Sequence, residues 1–208
     1  MKKVSQNIVI LAALYSVALV VSNIISSKMF QAPFGIVLTS AVWLFPIVYI
    51  IGDVVPEVYG LEIARKIIWL GFLANLFAVA FFMLTLALPY PIFFEGQSAF
   101  QAVLGFTPRL LFASFCAYLI GTNANAWVLV KIKELTSSKW LWMRTIGSTL
   151  VGETLDSIVF MSLAFYGVVP TAALPGMILA QAVFKIGYEV LATPLTYAVI
   201  GYFKRLEA

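Results

Sequence analysis

Histidine is absent from this 208-residue chain, cysteine occurs once and charged residues make up only 11% of it. Without histidine there is no HExxH zinc motif, no histidine-ligated haem and no imidazole proton relay. The lone Cys116, in the apolar run LLFASFCAYLIG, excludes an internal disulfide and any multi-cysteine metal site, and it reads as a small core residue. No GxxxxGK[ST] stretch occurs either, so the chain does not hydrolyse ATP through a P-loop. Neither a metal nor a cofactor is expected.

Apolar residues are abundant. They form 62% of the chain, and its mean hydropathy is +1.02. Soluble domains have roughly 45–50% apolar and 25% charged residues, so this composition belongs to an integral membrane protein. Crossing a hydrocarbon core of roughly 30 Å takes about 20 apolar residues in a helix. Six stretches qualify, near 7–29, 38–58, 64–89, 107–131, 142–168 and 174–203. Turn-forming segments separate them, among them QAPFG (31–35), VYG (58–60), PYPIFFEGQSAF (89–100) and GVVPTAALPG (167–176). The expectation is an all-α protein with six transmembrane helices in one domain, 1–208. The aromatic 90–106 connection is expected to be an interfacial belt or an outer lid.

Lysine and arginine orient these spans. Lys2 and Lys3 precede the first, Arg65 and Lys66 follow the second, Lys131, Lys133 and Lys139 follow the fourth, and Lys204 and Arg205 follow the sixth. The alternate connections, 31–37, 90–106 and 167–174, carry none, which predicts cytoplasmic termini. The net charge of +4 is then topology rather than a nucleic-acid surface. A cleaved signal peptide is not expected, since the first span is longer than an ordinary apolar signal region and lacks a clear small-x-small cleavage site after it.

Eight charged residues fall inside or at the edges of spans: Lys28, Asp53, Glu57, Arg144, Glu153, Asp156, Lys185 and Glu189. A charge at the bilayer centre costs roughly 2.5–3.5 kcal/mol on insertion scales, so each must meet protein, water or a partner. Their spacing gives them faces. Arg144, Ser148, Gly152 and Asp156 repeat every four residues, with Thr149 and Glu153 alongside, and Gln181, Lys185 and Glu189 form a second stripe. Asn23 with Ser26 and Ser27, Asp53 with Glu57, and Asn123 with Asn125 add polar groups to three more spans. Snorkelling lysines, interhelical amide pairs and an inert salt-bridge network compete with function for each of these. The deep trio of Glu153, Asp156 and Lys185 favours function.

Amides, carboxylates and a few cations walled by aromatic rings suit a planar polar heterocycle. A carboxylate accepts two parallel hydrogen bonds from the N1–H and 2-amino edge of a guanine-type base, and an amide reads either donors or acceptors. The same chemistry fits other vitamins.

Four segments carry a more specific signal: SNIISSKMF (22–30), D-x-x-P-E-V-Y-G (53–60) with Ala64 and Arg65 after it, RTIGSTLVGETLDSIVF (144–160), and Lys185 with PLT (194–196). In that order they resemble the queuosine precursor transporter family, also called the vitamin uptake transporter family, through essentially the whole chain. The resemblance implies a six-helix, multi-pass protein of the bacterial inner membrane, not an enzyme. It implies import of 7-cyano-7-deazaguanine and 7-aminomethyl-7-deazaguanine for queuosine synthesis, and a likeness to substrate-binding subunits of energy-coupling-factor vitamin importers. Asn23, Gln181, Glu153, Asp156, Lys185, Arg144 and Asn123 are then candidates for holding the substrate. Asp53, Glu57, Lys28 and Glu189 are candidates for coupling or gating. The partners implied are a deazapurine and the lipid bilayer, without nucleic acid, and homo-oligomerisation stays open.

Three alternatives stand beside it. The chain could be the ligand-capturing subunit of an importer driven by a separate ATPase. It could be an intramembrane protease, although IIGDVV lacks the glycine-x-glycine-aspartate arrangement of that chemistry, or a cation channel, although Lys28, Arg144 and Lys185 oppose a simple cation path.

Overall fold

A computed structural model describes residues 5–135 and 141–207, with the side chains of residues 133 and 141–145 left outside the description. The described chain is helical apart from one short hairpin. In order it runs α1 (Gln6–Ile25), β1 (Met29–Gln31), a 3-10 turn (Pro33–Gly35), β2 (Val37–Thr39), a second 3-10 turn (Ser40–Trp43), α2 (Phe45–Tyr59), α3 (Leu61–Ala87), α4 (Gln97–Leu104), α5 (Thr107–Leu135), α6 (Leu141–Phe165) and α7 (Leu174–Leu206). Among the described residues, five stretches are long and apolar enough to cross a bilayer: Gln6–Ile25, Leu61–Ala87, Gln97–Ile132, Ile146–Phe165 and Leu174–Leu206. The chain is an all-helical, multi-pass membrane protein.

The second expected span is only partly helical. Residues 38–44 belong to β2 and a 3-10 turn, and α2, at 15 residues, covers about 22 Å by the rise of an α-helix, less than a bilayer core. Pro46 explains the late start, because proline lacks the N–H that an earlier turn would need and sits readily in the first turn of a helix. A second departure lies at 90–106, where Gln97–Leu104 forms the short, surface-lying α4. Leu86, Pro89, Tyr90, Phe94, Gln97 and Phe100 there line a cavity of about 270 Å³. The VYG separator does end a helix: Gly60, at φ +89°, donates to Pro56 O at 3.1 Å and breaks α2 from α3.

Backbone contacts divide the chain into two compact units. The first comprises Met1–Met29, Thr39–Pro108 and Tyr188–Ala208. Its core is Leu11 and Tyr15 of α1, Ile51, Val54 and Val55 of α2, and Ala64 and Ile67 of α3, with Val199, Ile200 and Phe203 packed against it. α1 and α3 approach closely at Gly71, where an added Cβ would lie 2.6 Å from Leu19 Cδ1 and 3.0 Å from Tyr15 Cε1. One turn on, Asn23 Nδ2 donates to Asn75 Oδ1 at 3.1 Å and to Thr107 O at 3.3 Å, and Asn75 Nδ2 donates to Leu19 O at 3.4 Å. In lipid, close packing and interhelical amide bonds of this kind replace the hydrophobic drive that joins helices in water. At one end of the unit Glu207 accepts from Ser5 Oγ, from Asn7 Nδ2 at 2.9 Å and from Tyr59 Oη at 2.9 Å. These three donors hold its carboxyl below the ordinary glutamate range, the Ser5 bond contributing most.

The second unit comprises Phe30–Leu38 and Arg109–Gly187. Leu110, Ala113 and Ala117 of α5, Met161, Ala164 and Phe165 of α6, and Met177 of α7 are buried in it. Arg109 Nε donates to Leu163 O at 2.7 Å and Nη2 to Tyr166 O at 2.5 Å. A guanidinium thus closes the carbonyl end of α6, where the helix dipole favours a cation. Gly167, at φ +76°, then turns the chain toward α7.

Candidate functional site

α6 and α7 bring the deep charges together. Glu153 and Asp156 are three residues apart on α6 and share a face. From α7, Lys185 Nζ hydrogen-bonds Asp156 Oδ2 and lies 3.4 Å from Glu153 Oε2. The Lys185 side chain is 7% exposed, while the Glu153 and Asp156 side chains are 24% and 21% exposed. The ammonium thus stands within ion-pair distance of both carboxylates. Such a group can accept donors or a cation from a ligand without losing all of its internal compensation.

Unsatisfied polar atoms stand beside it. Gln181, one turn before Lys185 on α7, is 1% exposed, and its Oε1 has no hydrogen-bond partner among the described residues. The Ser157 hydroxyl, next to Asp156, is also buried without one. Buried polar atoms are ordinarily paired, so orphans mark places where water, strain or a ligand belongs. Ser148, on the Asp156 stripe, is buried as well.

Backbone proximity between α5 and α6 sets the position of Asp156. A Cβ on Gly121 would lie 2.9 Å from Asp156 Cβ and 3.0 Å from Gly152 O. A Cβ on Gly152 would lie 2.8 Å from Asn125 Cβ and 3.1 Å from Gly121 O. Each glycine therefore fills the place where the other helix's backbone passes.

The remaining sequence candidates are distributed differently. Asn123 is exposed and its Nδ2 donates to Leu119 O at 2.7 Å on its own helix. Arg144 lies on α6, but its side chain falls outside the described residues. Asn23 belongs to the first unit, where its Oδ1 is buried without a partner beside Asn75. Lys28 and Asp53 are exposed in that unit, Glu57 pairs with Lys204 at 3.0 Å, and Glu189 is half-buried on the far part of α7. Asn75, Arg109 and Gly121 did not stand out in the sequence. Asn75 carried a usable signal, since it is the one amide between Ile67 and Leu84.

Comparison with known proteins supplies the family. Residues 39–199 match the family model described as "Putative vitamin uptake transporter". A "Probable queuosine precursor transporter" of Bacillus subtilis (strain 168) is 29% identical over 167 residues, covering 79% of this chain and 72% of that protein. The protein of the same name from Haemophilus influenzae is 30% identical over 128 residues, 59% of this chain and 49% of that protein. The "Queuosine precursor transporter" of Escherichia coli (strain K12) is 27% identical over 144 residues, 68% of this chain and 62% of that protein. No solved structure matches. The matched segment takes in α2 to α6 and most of α7, so this chain belongs to the vitamin uptake transporter family.

Proposed function

We propose that this chain imports queuosine precursors, 7-deazaguanine bases, across the bacterial inner membrane and holds them at Glu153, Asp156 and Lys185. The names of its relatives support the substrate class. The observation that carries the site is Lys185 spanning two carboxylates, with the Gln181 carbonyl buried and unpaired one turn away.

In the resting protein the Lys185 ammonium occupies the acids. A guanine-type edge offers two parallel N–H donors, which replace the ammonium on one carboxylate while Lys185 keeps the other. Hydrogen bonds to a charged group are worth about 1.5–3 kcal/mol each, so a two-donor edge competes with a lysine that has a second acid to retreat to. Gln181 Oε1 accepts a further N–H of the ring. The substrate crosses unchanged: the residues bind and exchange partners, and none forms a bond to it.

Uptake of 7-cyano-7-deazaguanine by cells that lack their own precursor synthesis tests this. Glu153→Gln and Asp156→Asn are expected to lower uptake or apparent affinity at least tenfold for one of the two. Unchanged uptake and affinity in both variants, at normal protein levels, would remove the site assignment.

A further inference from the structure

The carboxylate group has a neighbour on α5. Ala113, Ala117 and Gly121 recur every four residues, and Asn125 is the next member of that line. The first two are buried, Gly121 lies against Asp156 and Gly152, and the Asn125 side chain lies against Gly152. Asn125 Cβ and Cγ are 2.8 Å and 3.4 Å from where a Cβ on Gly152 would stand. The half-buried amide therefore rests on the α6 backbone just before Glu153 and one turn from Asp156. Asn123 spends its amide on Leu119 O, whereas the Asn125 amide makes no hydrogen bond among the described residues. On the α7 side, Gln181 Oε1 is equally unpaired and fully buried. Two amides on different helices, one against Gly152 and one a turn from Lys185, thus keep hydrogen-bonding capacity to spare among the described residues.

We propose that Asn125 reads the edge of the bound base opposite the one held by the carboxylates, and so governs which ring substituents are accepted. This rests on the function proposed above. One helical turn, about 5.4 Å, matches the width of a fused five- and six-membered ring, so a base anchored at Asp156 presents its far edge to Asn125. An amide offers both N–H and C=O, so it can donate to a nitrile and accept from an ammonium. Gly152 is part of the device, because any side chain there would push the amide off α6.

The test measures apparent affinities of the full-length protein for three probes in cells lacking precursor synthesis: 7-cyano-, 7-aminomethyl- and unsubstituted 7-deazaguanine. Asn125→Ala is expected to weaken the two substituted bases about fivefold to tenfold and to leave the unsubstituted one unchanged. Asn125→Asp is expected to move the preference toward the aminomethyl cation by about tenfold. If Asn125→Asp fails to accumulate, Asn125→Ala alone decides. Equal loss for all three bases, or no change for any, overturns the assignment. Failure of the underlying function looks different: the unaltered chain then takes up none of the three, and the assignment falls with it.

Discussion

Gly152→Ala is the substitution whose effect the structure sets most directly. The new methyl would stand 2.8 Å from Asn125 Cβ and 3.1 Å from Gly121 O, while ordinary contact begins at 3.4 Å. The first gap demands a separation of at least about 0.6 Å, and the second obstacle is backbone, which moves only with all of α5. Overpacking of this kind costs about 1–3 kcal/mol, and the carbonyl places this case in the upper half of that range. Thermal unfolding of the purified protein in one detergent, monitored by circular dichroism, gives the stability change, and precursor uptake gives the functional one. Asn125→Gly removes the nearer obstacle but leaves the Gly121 carbonyl, so the double variant Gly152→Ala/Asn125→Gly is expected to recover part of the loss and no more. A Gly152→Ala protein as stable and active as its parent would refute the close crossing of α5 and α6. Complete rescue by Asn125→Gly would show that the carbonyl contact carries no weight.

Two further outcomes follow from the charges. Lys185→Met takes from Glu153 and Asp156 the ammonium that they share; breaking a buried pair costs roughly 3–5 kcal/mol, and the partial exposure of both acids puts the loss at the lower end, readable in the same unfolding assay. Adding Asp156→Asn to Lys185→Met is expected to restore part of it, and the absence of any recovery would mean that the pairing is not what Lys185 contributes. Glu207 concerns pH: its carboxyl is held below the ordinary 4.5, so the tie to Ser5, Asn7 and Tyr59 is present above that value and is lost as pH falls through the lowered one. Amide protection at the start of α1 is expected to drop only on acidification well below that ordinary value, and to become insensitive to pH in Glu207→Gln.

Much of this architecture was legible because lipid imposes long apolar helices and makes every internal charge conspicuous. Glu153, Asp156, Gln181 and Lys185 could be placed on two stripes by counting in fours, and the helices do bring Lys185 within reach of Glu153 and Asp156. Residues 38–44 misled because AVWLFPIVYII is apolar throughout, and hydropathy cannot tell a 3-10 turn ahead of a proline from the first turns of a span. Which of Asn123 and Asn125 lies against α6 was hidden for another reason. It depends on the rotation of α5 about its own axis, which the close fit of Gly121 against α6 fixes. Asn75 stayed unnoticed because its partner, Asn23, is 52 residues away in sequence.

The Lys185 bridge also bears on how the chain enters the membrane as it is synthesised. α6 carries Glu153 and Asp156, and the ammonium that bridges them, Lys185, belongs to α7, after the Gly167 turn. Released into lipid alone, α6 would carry the insertion penalty of both carboxylates. The two helices are therefore expected to enter the bilayer as a pair, with Lys185 serving as a counter-ion to the acids of α6 during assembly.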